Sequence, residues 1–167
     1  GKADPSTQAA FEELVEFLGP NCDEITLSGG FDDVHAHIRK VMYADLAKYL
    51  DHYSERGHGQ ISETLREMMA EGAKVSAVDY NNSVDKRAGI NAQVQDICTD
   101  YDVIMTPAAI GEAPIGLDAT GDPTFCSIWS YLGTPAVTVP LLRGENGMPI
   151  GVQLISTKGD DARLLRT

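Results

Sequence analysis

The chain has 167 residues, 43% apolar and 23% charged, which suits one globular domain with a core and lies far from a disordered composition. A net charge of −12, with thirteen scattered Lys and Arg, argues against a nucleic-acid or anionic-membrane surface, because phosphate binding needs clustered cations. Cys22, Cys98 and Cys126 form no C-x-x-C pair, so neither a disulfide framework nor a zinc knuckle is suggested and a reducing cytoplasm is the default.

No run approaches the roughly 18 apolar residues of a membrane span. Gly1-Lys-Ala-Asp-Pro5 has no apolar signal core, and the chain starts as if cut from something longer. Asp4-Pro5 reads as a helix N-cap and first position, followed by Phe11, Leu14, Val15 and Leu18 at helical spacing and stopped by Gly19-Pro20. Asp23 to Ser28 alternates like a half-buried strand, so helix then strand suggests an α/β layer. A long helix is expected from Asp32 or Asp33 to about Arg56, with one apolar stripe through Val34, Ile38, Val41, Met42, Leu46, Tyr49, Leu50 and Tyr53, ended by Gly57 and Gly59. A shorter one follows through Ile61, Leu65, Met68 and Met69, closed by Gly72. Ser76 with Asp79 forms a capping box, Val75 and Tyr80 stand at staple positions, and the third helix runs through Val84, Ile90, Val94 and Ile97 despite Gly89.

Tyr101 to Thr106 reads as a buried strand ended by Pro107. Ala108 to Pro123 is a sixteen-residue Gly, Pro and Ala-rich stretch without periodicity, long for a connection in a compact domain and therefore functional or disordered. Thr124 to Leu132 makes a short helix ended by Gly133. Ala136-Val-Thr-Val-Pro140, closed by its proline, and Ile150 to Ile155 read as paired strands around an Asn146-Gly147 turn. Asp160-Asp161 caps a last helix. The expected organisation is one domain over 1–167, with helical segments about 32–98 and sheet-forming segments about 101–156.

Several constellations have a chemical and a plain reading. Ser83-Val-Asp-Lys86 fits S-x-x-K, in which a neutral lysine takes the serine proton, but Asp85 and Arg87 flank it and no S-D-N or K-T-G element accompanies it; an exposed helix surface fits better. His35 and His37 project to different sides of a helix, and His52 and His58 add no ligand spacing, so no metal site is expected. Ser28-Gly29-Gly30 could place a nucleophile on a turn, though it lacks the G-x-S-x-G form. Asn81-Asn-Ser83 is a chance glycosylation sequon. Cys126 is a thiol nucleophile or a small hydrophobe. Asp122, Trp129 and Ser130 either line a pocket, or Asp122 caps the helix with Pro123 at its first position and Trp129 fills the core.

Tyr101-Asp-Val-Ile-Met-Thr-Pro107, Ala113-Pro114, Gly121-Asp-Pro-Thr-Phe125, Trp129-Ser-Tyr-Leu-Gly-Thr-Pro-Ala136, Val139-Pro140, Gly147-Met-Pro-Ile-Gly-Val-Gln-Leu-Ile155 and Gly159-Asp160-Asp161 with Leu164-Leu165 closely resemble the carboxy-terminal part of the amidase signature family. Glu71 to Tyr80, followed by Arg87, resembles the family's helical segment. The resemblance implies an α/β fragment of that fold, part of a mixed sheet flanked by helices. It also implies a cofactor-free amide hydrolase with a Ser–cis-Ser–Lys triad and backbone N–H groups at the oxyanion. Nothing in the chain matches the triad, which is expected upstream, so the chain alone is expected to be inactive. The positions that match the family's substrate-facing segment are Asp122, Phe125, Cys126, Trp129 and Ser130, with a thiol at Cys126 where relatives often carry a polar residue. Expected partners are a small amide substrate, the missing amino-terminal part and a second copy of the chain; a stand-alone scaffold module and part of an amidotransferase are the alternatives.

Overall fold

The computed structural model describes residues 2–27, 29–57 and 59–167, without the side chains of Ser54 and Glu55. The protein is mixed α/β, and its Cα positions gather into two compact units, Gly1–Ser28 with Asn91–Thr167, and Gly29–Ile90.

In the first unit, α1 (Pro5–Leu18) starts where Asp4 is extended, with φ −67° and ψ 162°, so that its carboxylate accepts the Thr7 N–H at 2.7 Å. Gly19, at φ +53°, ends it. The strand expected over Asp23–Ser28 does not form: Asp23 to Leu27 are irregular, Ile25 is exposed, and Ser28 lies outside the described residues. Alternation specifies a strand only where another strand accepts its hydrogen bonds.

The sheet orders β1 (Ile104–Pro107), β3 (Pro149–Ile155) and β2 (Ala136–Arg143), antiparallel throughout. β1 begins three residues later than expected: the Tyr101 N–H still donates to the Ile97 carbonyl of the preceding helix at 3.1 Å, and Tyr101 to Val103 pass between helix and strand. β3 is central and covered on both faces: Ile150, Val152, Gln153 and Ile155 are all buried. Pro140 does not close β2 as expected. Its missing N–H is tolerated because β2 is an edge and Pro140 with Leu141 bulges opposite Gly151, between the pairs Val139–Val152 and Leu142–Ile150. The turn between the strands forms as expected, with Gly147 at φ +83° and the Gly144 N–H donating to the Met148 carbonyl at 2.9 Å. α5 (Thr124–Leu132) buries Trp129, Tyr131 and Leu132 and ends at Gly133, φ +70°. α6 spans Asp161–Leu164; Asp160 stands at its N-cap without a side-chain capping bond.

The second unit holds α2 (Val34–Arg56), α3 (Glu63–Gly72) and the part of α4 (Ala77–Asp100) up to Ile90. Ser76 caps α4 as expected, its Oγ accepting the Asp79 N–H at 3.0 Å; the reciprocal half of the capping box differs, since the Asp79 carboxylate accepts from the Ser76 hydroxyl at 2.7 Å. α2 buries only the first part of its expected stripe. Val34, Ile38 and Val41 are buried, whereas Met42, Tyr49 and Tyr53 are exposed. Gly72 is the last residue of α3, and its role is close approach: a Cβ there would overlap the Tyr43 carbonyl of α2. No helix among the described residues is long and apolar enough to cross a membrane.

Candidate functional site

The stretch Ala108–Pro123 carries no helix or strand, yet it is held at Ala108, Ile110 and Glu112. The Ala108 N–H donates to the Gly151 carbonyl at 3.0 Å, extending the β1–β3 ladder, and the Asp4 N–H donates to the Ile110 carbonyl at 2.7 Å. Glu112 then grips the β2–β3 turn. One carboxylate oxygen accepts from the Met148 N–H at 2.8 Å; the other accepts from Asn146 Nδ2 at 2.7 Å and the Asn146 N–H at 3.2 Å. These bonds, the Asn146 side chain foremost, hold the Glu112 carboxyl below its usual range. Two glycines make room: a Cβ on Gly111 would overlap the Asp4 carboxylate, and one on Gly144 would overlap Glu112.

From Ala113 to Pro123 every residue is exposed, with Gly116 and Gly121 in the left-handed region at φ +91° and +87°. The segment ends on a second carboxylate. Asp122 accepts the Thr124 N–H at 2.8 Å and the Thr124 hydroxyl. Pro123 therefore occupies the N-cap position, and Asp122 does the capping from one residue further out.

Asp122 precedes α5, and the other four candidate residues sort onto different sides of it. Asp122, Cys126 and Ser130 are exposed, the latter two one turn apart and so on one face. Phe125 is half-buried and Trp129, also one turn on, is buried. The Cys126 thiol donates to the Pro123 carbonyl at 3.4 Å. Cys98, by contrast, is buried, and that burial pushes its thiol up.

The remaining sequence candidates lie elsewhere. Ser83 does not engage Lys86: its hydroxyl is buried and sits 3.0 Å from His37 Nδ1, while His37 Nε2 is 3.2 Å from the Asp33 carboxylate. An ionised carboxylate only accepts, so Nε2 carries the hydrogen. This chain of three was not legible in the sequence, since Ser83 and His37 stand 46 positions apart. Ser83, Lys86, His37, Lys40, Asp79 and Asn82 border a cavity of about 620 Å³ in the second unit. Both ring nitrogens of His37 are engaged, and mid-helix N–H groups belong to the helix ladder, so the backbone around Ser83 offers no oxyanion donor among the described residues. His35 is exposed, His52 lies with its ring 3.9 Å from that of Tyr53, and His58 is outside the described residues. Among the described residues no three His, Cys, Asp or Glu side chains gather as a metal site. Gly29, at φ +66°, opens a short 3-10 turn through Phe31, and the serine before it is outside the described residues.

Comparison with known proteins decides the family, because residues 15–165 match the model of the Amidase family. The chain belongs to the amidase family. It is 35% identical over 150 residues to a glutamyl-tRNA(Gln) amidotransferase subunit of Cupriavidus necator, a match covering 82% of this chain and 29% of the relative. It is 28% identical over 174 residues to an acylamidase of Rhodococcus erythropolis, covering 95% of this chain and 35% of that one. A crystal structure of an amidase superposes with a TM-score of 0.84 at 23% identity, over 99% of this chain and 41% of the other. The fold is thus that of amidase enzymes, and the chain spans roughly a third of the length of the curated relatives it matches.

Proposed function

We propose that the chain is the carboxy-terminal part of an amide hydrolase and that its contribution to catalysis is one wall of the substrate pocket. The observation that carries this is the amidase match from 15 to 165, which runs through α5 and the loop before it. Asp122, Cys126 and Ser130 supply polar groups to the wall, and Phe125 and Trp129 supply its apolar backing, in keeping with pockets that are mostly apolar with a few placed polar groups. The attacking serine, the bridging serine and the lysine belong to a preceding segment, and the substrate is a small amide. The intact protein is expected to hydrolyse p-nitroacetanilide or a short aliphatic amide without added cofactor, and to lose that activity when the attacking serine is replaced by alanine. Residues 1–167 alone are expected to show no turnover above background. Turnover by residues 1–167 alone would overturn the assignment of the nucleophile to another segment.

The amidotransferase reading has its own support in the identity to a glutamyl-tRNA(Gln) amidotransferase subunit. Assaying glutamine against the simple amides separates the two, since an ammonia-donating enzyme should favour glutamine and a general amidase should not.

A further inference from the structure

We propose that Glu112 is a positioning residue for the substrate-facing wall, an inference that rests on the reading of that wall given above. Three donors from the β2–β3 turn converge on its carboxylate, across 34 to 36 positions of sequence. The turn does not need Glu112 to close, because Gly144 already bonds Met148 and Gly147 already bonds Gly144 through the backbone. What the carboxylate adds is a fixed point on the loop. Behind it the loop is tied at Ala108 and Ile110; ahead of it the exposed strap Ala113–Gly121 runs to the second fixed point, Asp122 at the mouth of α5.

With both ends held, the strap spans nine residues; without Glu112 its free length grows back to Ile110, and its conformational freedom grows with it. Both Glu112 oxygens accept, so Gln can replace one acceptor while turning an NH2 toward the donors of the other. Gly144 completes the device, since a side chain there would occupy the space Glu112 fills. Glu112 acts through the loop: it sets where the strap, and through it the approach to Asp122, Cys126 and Ser130, stands.

The test compares Glu112→Ala and Glu112→Gln with the unaltered protein by amide hydrogen exchange and by hydrolysis of p-nitroacetanilide, all in the intact protein. In Glu112→Ala, exchange at Asn146 and Met148, whose N–H groups the carboxylate accepts, is expected to rise about tenfold, the scale of losing one charge-assisted hydrogen bond, with Gln between. KM should rise by a similar factor while kcat stays within about twofold, the pattern of lost uniform binding. Unchanged exchange overturns the clamp, and faster exchange with unmoved KM overturns its role at the wall. A fall in kcat at constant KM would mark a loss of folded enzyme and count against positioning. If the unaltered protein hydrolyses no amide, the amidase reading itself fails and this inference falls with it.

Discussion

Three aspartates stand at the N-cap position of described helices, and only one caps with its side chain. Asp4 is extended and bonds the Thr7 N–H, whereas Asp33, at φ −112° and ψ 9°, sends its carboxylate to His37, and Asp160, at φ −104° and ψ 38°, makes no side-chain cap. Capping requires extended backbone, and residue type alone does not set that. Replacing Asp4 by alanine should cost about 1 kcal/mol in urea denaturation at neutral pH, while asparagine should cost little. The Thr7 backbone N–H lowers the Asp4 carboxyl below its ordinary value. A carboxyl lowered in the folded state stabilises above its unfolded value, about 3.9, and that contribution is lost as pH falls through the lower folded value. Asp4→Asn should therefore lose less stability than the unaltered chain between neutral and acid pH; equal acid sensitivity of the two would sink this account.

Helix glycines show the same limit at the scale of elements. Gly72 reads as a helix end and Gly89 as a weak point inside a helix, yet a Cβ on Gly72 would overlap the Tyr43 carbonyl of α2, and one on Gly89 meets nothing within 4 Å. Gly89→Ala should stabilise by about 1 kcal/mol, the helix-propensity difference. Gly72→Ala should destabilise by about 1–3 kcal/mol, as overpacking does, by forcing α2 and α3 apart. Opposite shifts of the urea midpoint are the expected result, and shifts of the same sign would refute the close-approach reading. Pro140 makes a parallel case: a proline that reads as a strand end sits inside β2, because an edge strand with a bulge leaves no ladder bond for it to break.

For the molecule as a whole, exposed apolar side chains bear on partners. Met42, Tyr49 and Tyr53 recur along α2, and Ile115 and Leu117 stand wholly in solvent on the strap. Such surface favours association, so residues 1–167 should self-associate, with the light-scattering mass rising with concentration and falling back in Tyr49→Lys/Tyr53→Lys; a monomer at all concentrations counts against it. The α5 helix, the Asn146-Gly147 turn, the Ser76 cap and the limits of α1 were legible in the sequence because each depends on residues within a few positions, whose φ, ψ and capping chemistry are local. The family resemblance was legible too, carried by motifs spread from Glu71 to Leu165. Glu112 on the β2–β3 turn, His37 on Ser83, the unpaired fate of Asp23–Leu27 and the exposed half of the α2 stripe were decided only by tertiary structure. Each depends on which distant segment arrives to accept a hydrogen bond or cover an apolar face, and sequence periodicity describes a surface without naming what comes to lie on it.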